Sequence, residues 1–167
     1  MRPATQGEFL ERLQAHGRML GQVACSYARS DADRADLGQE IVAQLWRAFP
    51  RYDPARPFST WMYRIALNVA ISFARRQREL APLEEAGAVR APEGQGEREG
   101  QLRMLEQFVS GLPPLERALV LLYLDERSQR EIAEVLGISE SNVSTRIHRI
   151  KGRLRERAGA RERGESG

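Results

Sequence analysis

Ser141, Thr145 and His148 carry the side chains of this 167-residue chain with the plainest chemical meaning. At about 100° per residue on a helix they share one side, flanked by Asn142, Ser144 and Arg149, with Arg146 towards its edge. Short hydroxyl and amide groups beside cations suit base edges and phosphates when a helix lies in the major groove of DNA. The same pattern also fits the solvated outer side of a helical hairpin.

The elements that must position these groups favour DNA. Val143, Ile147, Ile150 and Leu154 recur at alternating spacings of four and three, so the opposite side of the helix packs inward. Before it, Ile132, Ala133 and Leu136 give a shorter helix its buried stripe. Ser128 with Glu131 three residues later forms a capping box at its start, and Gly137 ends it in a left-handed turn. Ser139 caps the second helix after a three-residue turn. Two helices in this arrangement, followed by a basic tail, read as a helix-turn-helix.

A second group of residues lies earlier. Arg64, Asn68, Arg75 and Arg78 fall on one narrow stripe of a helix expected from Ser59, its cap, to about Arg78, with Arg76 nearby. Met62, Ile65, Ala66, Val69 and Phe73 form its inner face, with Trp61 at the edge. Cations in line beside Trp61, Tyr63 and Tyr52 combine phosphate attraction with flat surfaces on which unpaired bases stack. A core tryptophan beside a solvated arginine face fits the pattern as well. The preceding Pro50 to Phe58 stretch holds three prolines and is expected as a rigid loop presenting Arg51, Tyr52 and Arg56.

The frame for that helix comes from two more. Phe9, Leu13, His16, Leu20, Val23 and Tyr27 draw one face of a helix from about Gly7 to Arg29, with His16 a partly buried packing residue and Cys25 a small core residue. Leu37, Ile41, Leu45 and Phe49 stack on a helix from about Asp33 to Phe49, whose other face holds Gln39, Glu40, Gln44 and Arg47. Residues 81–101 are rich in Gly, Pro and Glu and are expected to be a flexible acidic linker. Beyond it Leu102, Leu105, Val109 and Leu112 mark a helix stopped by Pro113 and Pro114, and Leu115, Leu119, Leu122 and Tyr123 mark another. Past Leu154 the periodicity fades and the tail, 158–167, is expected to be disordered.

Composition excludes much. The formal net charge of +3 is small, but a pI near 9.5 and Lys151 as the sole lysine among many arginines point to an anionic partner. No apolar run approaches a membrane span and Met1 leads into polar sequence, so neither membrane insertion nor a signal peptide is expected and the chain is assigned to the cytoplasm. A single cysteine excludes an internal disulfide, and His16 and His148 have no ligand-like spacing. With no phosphate loop and no nucleophile motif, no enzyme, metal, cofactor or small-molecule substrate is expected.

The layout resembles a bacterial RNA polymerase sigma factor of the extracytoplasmic-function (ECF) group, the smallest members of the sigma-70 family. DRADLGQEIVAQLWRAF (Asp33 to Phe49) is similar to the family's core-binding helix, and FSTWMYRIALNVAISFARRQR (Phe58 to Arg78) to its promoter-melting helix. LPPLERALVLLYLDERSQREIAEVLGISESNVSTRIHRIKGRLRE (Leu112 to Glu156) is similar to its upstream-promoter reader. The resemblance implies an all-α protein of two small helical domains joined by the linker: region 2 over 1–80 and region 4, with the helix-turn-helix, over 102–157. It implies that Asp36, Leu37, Gln39, Glu40, Gln44 and Trp46 dock on core RNA polymerase, chiefly the β′ clamp helices, with further contact to β. It implies that Arg51, Tyr52, Arg56, Trp61, Arg64, Asn68, Arg75 and Arg76 engage the minus-10 element and the melted strand. Ser141, Asn142, Ser144, Thr145, Arg146 and Arg149 would read the minus-35 element, and an anti-sigma factor would be a further partner. Ser72, Gly38 and Ser144 depart from the residues usual at their positions in the family. The competing reading is a stand-alone helix-turn-helix regulator, which needs a dimer to span two half-sites.

Overall fold

The computed structural model describes residues 5–80 and 96–165. Those residues hold eight α-helices, one 3-10 turn and no strand, in agreement with the all-α expectation. Among them no helix is long and apolar enough to cross a membrane. The chain divides into two compact units, the first running to Leu80 and also taking in Glu134–Gly137, the second holding the rest of the C-terminal helices.

The first unit opens with α1 (Gln6–Ala15), where Thr5 Oγ accepts from Glu8 N and the Glu8 carboxylate accepts from Thr5 N, both at 3.3 Å. α2 (Gly17–Tyr27) follows at once, so the single helix expected from Gly7 to Arg29 is two. His16 leaves helical geometry (φ −119°, ψ 13°) and Gly17 follows it, which is where a helix is cheapest to break. The spacing of Leu13, His16 and Leu20 runs straight across the break, so periodicity does not show it. His16 is half-buried and its ring stacks on Phe58 at 5.4 Å, the packing role expected of it. Cys25, expected in the core, is exposed; it faces away from the side of α2 that buries Val23, Ala24 and Tyr27.

Ser30 caps α3 (Asp31–Ala48) by accepting from Asp33 N at 3.1 Å. Leu37, Ile41 and Leu45 are fully enclosed, each contributing about 1.5–3 kcal/mol of hydrophobic burial. The 3-10 turn Phe49–Arg51 hands the chain to a loop and then to α4 (Phe58–Leu80). α4 begins one residue before Ser59, with Trp61 N donating to Pro57 O, so Ser59 lies inside the helix instead of capping it. Its buried face runs through Met62, Tyr63, Ala66, Leu67, Ala70 and Phe73. Ile65 and Val69 are only half-buried, so this face is turned from the expected one. The helices α2, α3 and α4 pack against one another pairwise, and that three-way contact fixes the azimuth of α4.

In the second unit α5 (Glu97–Gly111) starts inside the stretch assigned to the linker. Residues 97–101 are therefore helical, while the linker expected over 81–95 lies outside the described residues. Glu97 and Glu99 in the first turn favour the start electrostatically. Phe108 and Val109 are the buried positions of α5, and Leu102, expected to be inward, is exposed. Arg117 closes the helix end by donating through Nη2 to Ser110 O at 2.8 Å and Leu112 O at 2.9 Å. α6 (Pro114–Leu124) buries Ala118, Leu119 and Leu122 and leaves Tyr123 exposed under the ammonium of Lys151, 4.5 Å from its ring centroid.

The junction after α6 is a Schellman turn: Glu126 N donates to Tyr123 O and Arg127 N to Leu122 O. It puts Glu126 at φ 60°, a conformation in which a Cβ is strained. Glu126→Gly is therefore expected to stabilise the second unit by about 0.5–1 kcal/mol, the relief of that strain less the added freedom of glycine in the unfolded chain. Urea unfolding measures it, and a lower midpoint for the variant would contradict it. α7 (Gln129–Leu136) and α8 (Glu140–Glu165) complete the unit. α8 continues through most of the tail expected to be disordered. Arg, Glu and Ala favour helix there, and Arg161 Nη1 anchors it by donating to Gly100 O at 2.6 Å. A Cβ at residue 100 would stand 2.6 Å from Arg161 Nη2, so a side chain there would make the guanidinium shift.

Candidate nucleic-acid and protein interfaces

The local chemistry of α7 and α8 sets up one surface. Ser128 Oγ accepts from Glu131 N at 3.1 Å and starts α7, but the Glu131 carboxylate turns to Arg127 at 3.6 Å, so of the expected capping box the serine half is formed. Gly137 takes φ 69° and Ile138 N donates to Ala133 O, ending it. Ser139 Oγ accepts from Asn142 N at 3.1 Å, which starts α8 after the three-residue turn. Ile132, Ala133, Val143, Ile147 and Ile150 are buried, so the opposite side of α8 is fixed outward.

Ser141, Ser144, Thr145, His148 and Arg149 are all exposed on α8. The hydroxyl of Thr145 donates to Ser141 O at 2.9 Å, and the Ser141 and Ser139 hydroxyls lie 3.2 Å apart. Asn142 and Arg146, both half-buried, are joined: Arg146 Nε donates to Asn142 Oδ1 at 2.9 Å. The Arg146 guanidinium is thus held along the helix, which suits a phosphate better than a base edge. Arg153 Nη2 meets Glu116 at 2.7 Å, tying α8 to α6.

The first unit carries an aromatic cluster where α1, α3, the loop and α4 meet. The ring of Phe49 lies 5.2 Å from Phe9, 6.0 Å from Tyr52 and 6.2 Å from Trp61, and Trp61 lies 5.1 Å from Tyr52 and 5.3 Å from Phe58. Tyr52 and Trp61 are half-buried and keep an accessible edge, whereas Tyr63 is buried and offers no stacking surface. Arg12, which its sequence position gave no reason to single out, lies over Tyr52 at 5.3 Å and Phe58 at 5.7 Å. The loop between is tied to itself. Tyr52 Oη donates to Arg56 O at 2.6 Å, and Asp53 Oδ1 accepts from Ala55 N at 3.0 Å in an Asx turn. Arg51 and Arg56 are exposed on it.

Along α4 Arg64, Asn68, Arg75, Arg76 and Arg78 are exposed. Arg76 Nη2 reaches across to α3, 3.1 Å from both carboxylate oxygens of Glu40. On α3 Asp36, Gln39 and Trp46 are exposed and Glu40 and Gln44 half-buried, but Leu37 is wholly enclosed and can touch no partner. Its place among docking residues is corrected: it holds α3 in the core, because it shares the stripe of Ile41 and Leu45. Beside Trp46 the structure shows an apolar groove of about 520 Å³ between α1 and α3, lined chiefly by Phe9, Leu10, Val42 and Ala43. Leu10, outside the expected sites, is exposed because it lies one residue round α1 from the buried Phe9.

Among the described residues no cluster of histidine, cysteine and carboxylate side chains could hold a metal ion. The arrangement offers surfaces for binding: a polar, cationic helix side, an aromatic and arginine ledge, and an apolar groove.

Two family models match the chain, sigma-70 region 2 over residues 13–79 and sigma-70 region 4 over residues 102–154. The RNA polymerase sigma factor CnrH of Cupriavidus metallidurans is 32% identical, over 89% of this chain and 85% of its own length. The ECF RNA polymerase sigma factor SigW of Bacillus subtilis is also 32% identical, over 83% of this chain and 78% of its own. Among solved structures, CnrH in complex with the cytosolic domain of CnrY superposes with a TM-score of 0.70 at 26% identity, covering 94% of this chain and 91% of that one. The sigma factor RpoE of Bartonella quintana, in complex with the anti-sigma factor NepR, gives a TM-score of 0.73 at 20% identity over 91% and 97%, a likeness of fold.

Proposed function

The chain belongs to the sigma-70 family, as an ECF RNA polymerase sigma factor that directs polymerase to promoters and is not itself an enzyme, and from that premise we propose how its surfaces divide the work. Residues 1–80 form region 2, which binds core polymerase and the minus-10 element. Region 4, taken as 102–157 from the sequence, extends back to the start of α5 and binds the minus-35 element.

The observation that carries this reading is that α3 and α4 turn chemically different faces to solvent while sharing one core. The exposed side of α3, with Asp36, Gln39, Glu40, Gln44 and Trp46, lies beside an apolar groove and suits a protein surface, the β′ clamp helices of polymerase. α4 and its loop expose Arg51, Arg56, Arg64, Asn68 and Arg75 beside Tyr52 and Trp61, which suits the phosphates and splayed bases of an opened strand. Strand separation costs stacking energy, and favouring the open strand offsets it. On α8, Ser141, Ser144, Thr145 and Arg149 read the duplex, with Asn142 and the tethered Arg146 holding the backbone. Work is assigned to the cytoplasm, where polymerase and promoter are. An anti-sigma factor is the further partner we assign, by analogy with the complexes of similar proteins.

The test is transcription by core polymerase supplied with the purified chain on a promoter library. Initiation from a defined class of sites supports the reading; tight binding of duplex by the chain alone, as a dimer and without polymerase, supports a stand-alone regulator instead. Within the same assay Trp61→Ala is expected to reduce promoter opening about tenfold, the loss of one stacked base. Permanganate reactivity at the melted thymines reports it, with Trp61→Phe restoring most of the signal. Normal melting by the alanine variant would show that Trp61 only packs.

A further inference from the structure

Arg76 and Glu40 stand 36 residues apart, on α4 and α3, and the structure brings one guanidinium nitrogen to 3.1 Å from both oxygens of one carboxylate. The pair joins two groups that the reading above gives to different partners. Glu40 lies one turn from Asp36 and one turn from Gln44, on the stripe assigned to polymerase. Arg76 follows Arg75, which continues the line of Arg64 and Asn68 assigned to DNA. One residue further round the helix, Arg76 turns about 100° from that line towards α3.

We propose that Glu40 holds Arg76 off nucleic acid in the free chain and releases it when α3 docks on polymerase, so that one ion pair links docking to capture of the promoter strand. The proposal rests on the assignments of α3 and α4 made above. Both side chains are partly solvated, 57% exposed for Arg76 and 39% for Glu40. A solvated pair of this kind is weak enough to be exchanged. A carboxylate on Nη2 of the guanidinium nevertheless takes donors that a phosphate would use and offsets the charge that would attract it. A protein surface that hydrogen-bonds the Glu40 carboxylate removes both obstacles. By linkage, a phosphate that takes Arg76 leaves Glu40 free for polymerase, so each partner favours the other to the same degree.

The experiment uses the full chain and a fluorescein-labelled oligonucleotide of thymidines, followed by anisotropy across a salt series. Glu40→Gln is expected to tighten binding by the free chain about threefold, the scale of one exposed ion pair. It should also steepen the logarithmic salt dependence by about 0.7, one added phosphate contact on a single strand. Glu11→Gln, which removes the same charge from α1, should produce neither change in full, and in an Arg76→Gln background the effect of Glu40→Gln should vanish. With core polymerase bound, Glu40→Gln should no longer tighten capture. Equal behaviour of Glu40→Gln and Glu11→Gln, or a gain that survives in the Arg76→Gln background, overturns the proposal. If Arg76→Gln leaves strand capture by the polymerase complex unchanged, the assignment of Arg76 to DNA fails and takes the link with it.

Discussion

Leu37→Ala is expected to destabilise the first unit by about 2–5 kcal/mol, the range for a large aliphatic side chain removed from a closed core. Leu37 sits on α3 amid residues assigned to polymerase, yet it has no exposed surface. Its loss opens a cavity beside Ile41 and Leu45, and in a small unit that is a large part of the total stability. Thermal unfolding should show a midpoint lowered by about 8 °C or more, at about 4–8 °C per kcal/mol for a unit of this size. Trp46→Ala is the counterpart. Trp46 is 44% exposed and its ring lies 5.1 Å from that of Phe9, tilted by 58°, so its removal should weaken polymerase binding far more than folding. A Leu37→Ala protein that melts normally but fails to bind polymerase would reverse the assignment of the two residues.

The second large effect is expected at Arg149. On the outward side of α8, with its guanidinium exposed, it has the reach and the donor fork to bind a guanine edge or a phosphate. Arg149→Ala should lower affinity for the preferred minus-35 sequence by about 1–3 kcal/mol, up to roughly a hundredfold, and leave association with core polymerase intact. Competition between the preferred duplex and single-base variants tells base from backbone. Loss of discrimination at one position marks a base contact, whereas uniform weakening across all sequences marks a phosphate contact. Reduced helicity or reduced polymerase binding would mean that Arg149 serves the fold.

Much of this was legible in the residues alone. The helix-turn-helix could be placed almost to its ends because three local devices agree: Ser128 and Ser139 supply caps and Gly137 the left-handed stop. Where such devices are lacking, periodicity misleads. A run from Phe9 to Tyr27 reads as one helix because the break at His16 preserves the spacing, and only the packing of His16 on Phe58 reveals why the chain turns there. The face of α4 was displaced because three helices press on it, and the azimuth that buries Tyr63 and Leu67 depends on partners distant in sequence. The tail differs from its expected disorder for a similar reason: alternating arginine and glutamate look solvated, but Arg161 finds the carbonyl of Gly100, 61 residues away. The outward residues of α8 follow from spacing, while Leu10, Arg12 and the Glu40–Arg76 pair depend on contacts between elements that no local pattern encodes.

The loop from Arg51 to Pro57 closes on itself, through Tyr52 Oη on the carbonyl of Arg56 and the Asx turn at Asp53. Ordering a backbone costs about 1–2 kcal/mol per residue in lost conformational freedom, and here that loss is incurred during folding instead of on contact with a ligand. Under the role proposed for this loop, a nucleotide leaving its stack would meet a preformed receptor, and its binding free energy would remain available for holding the strands apart.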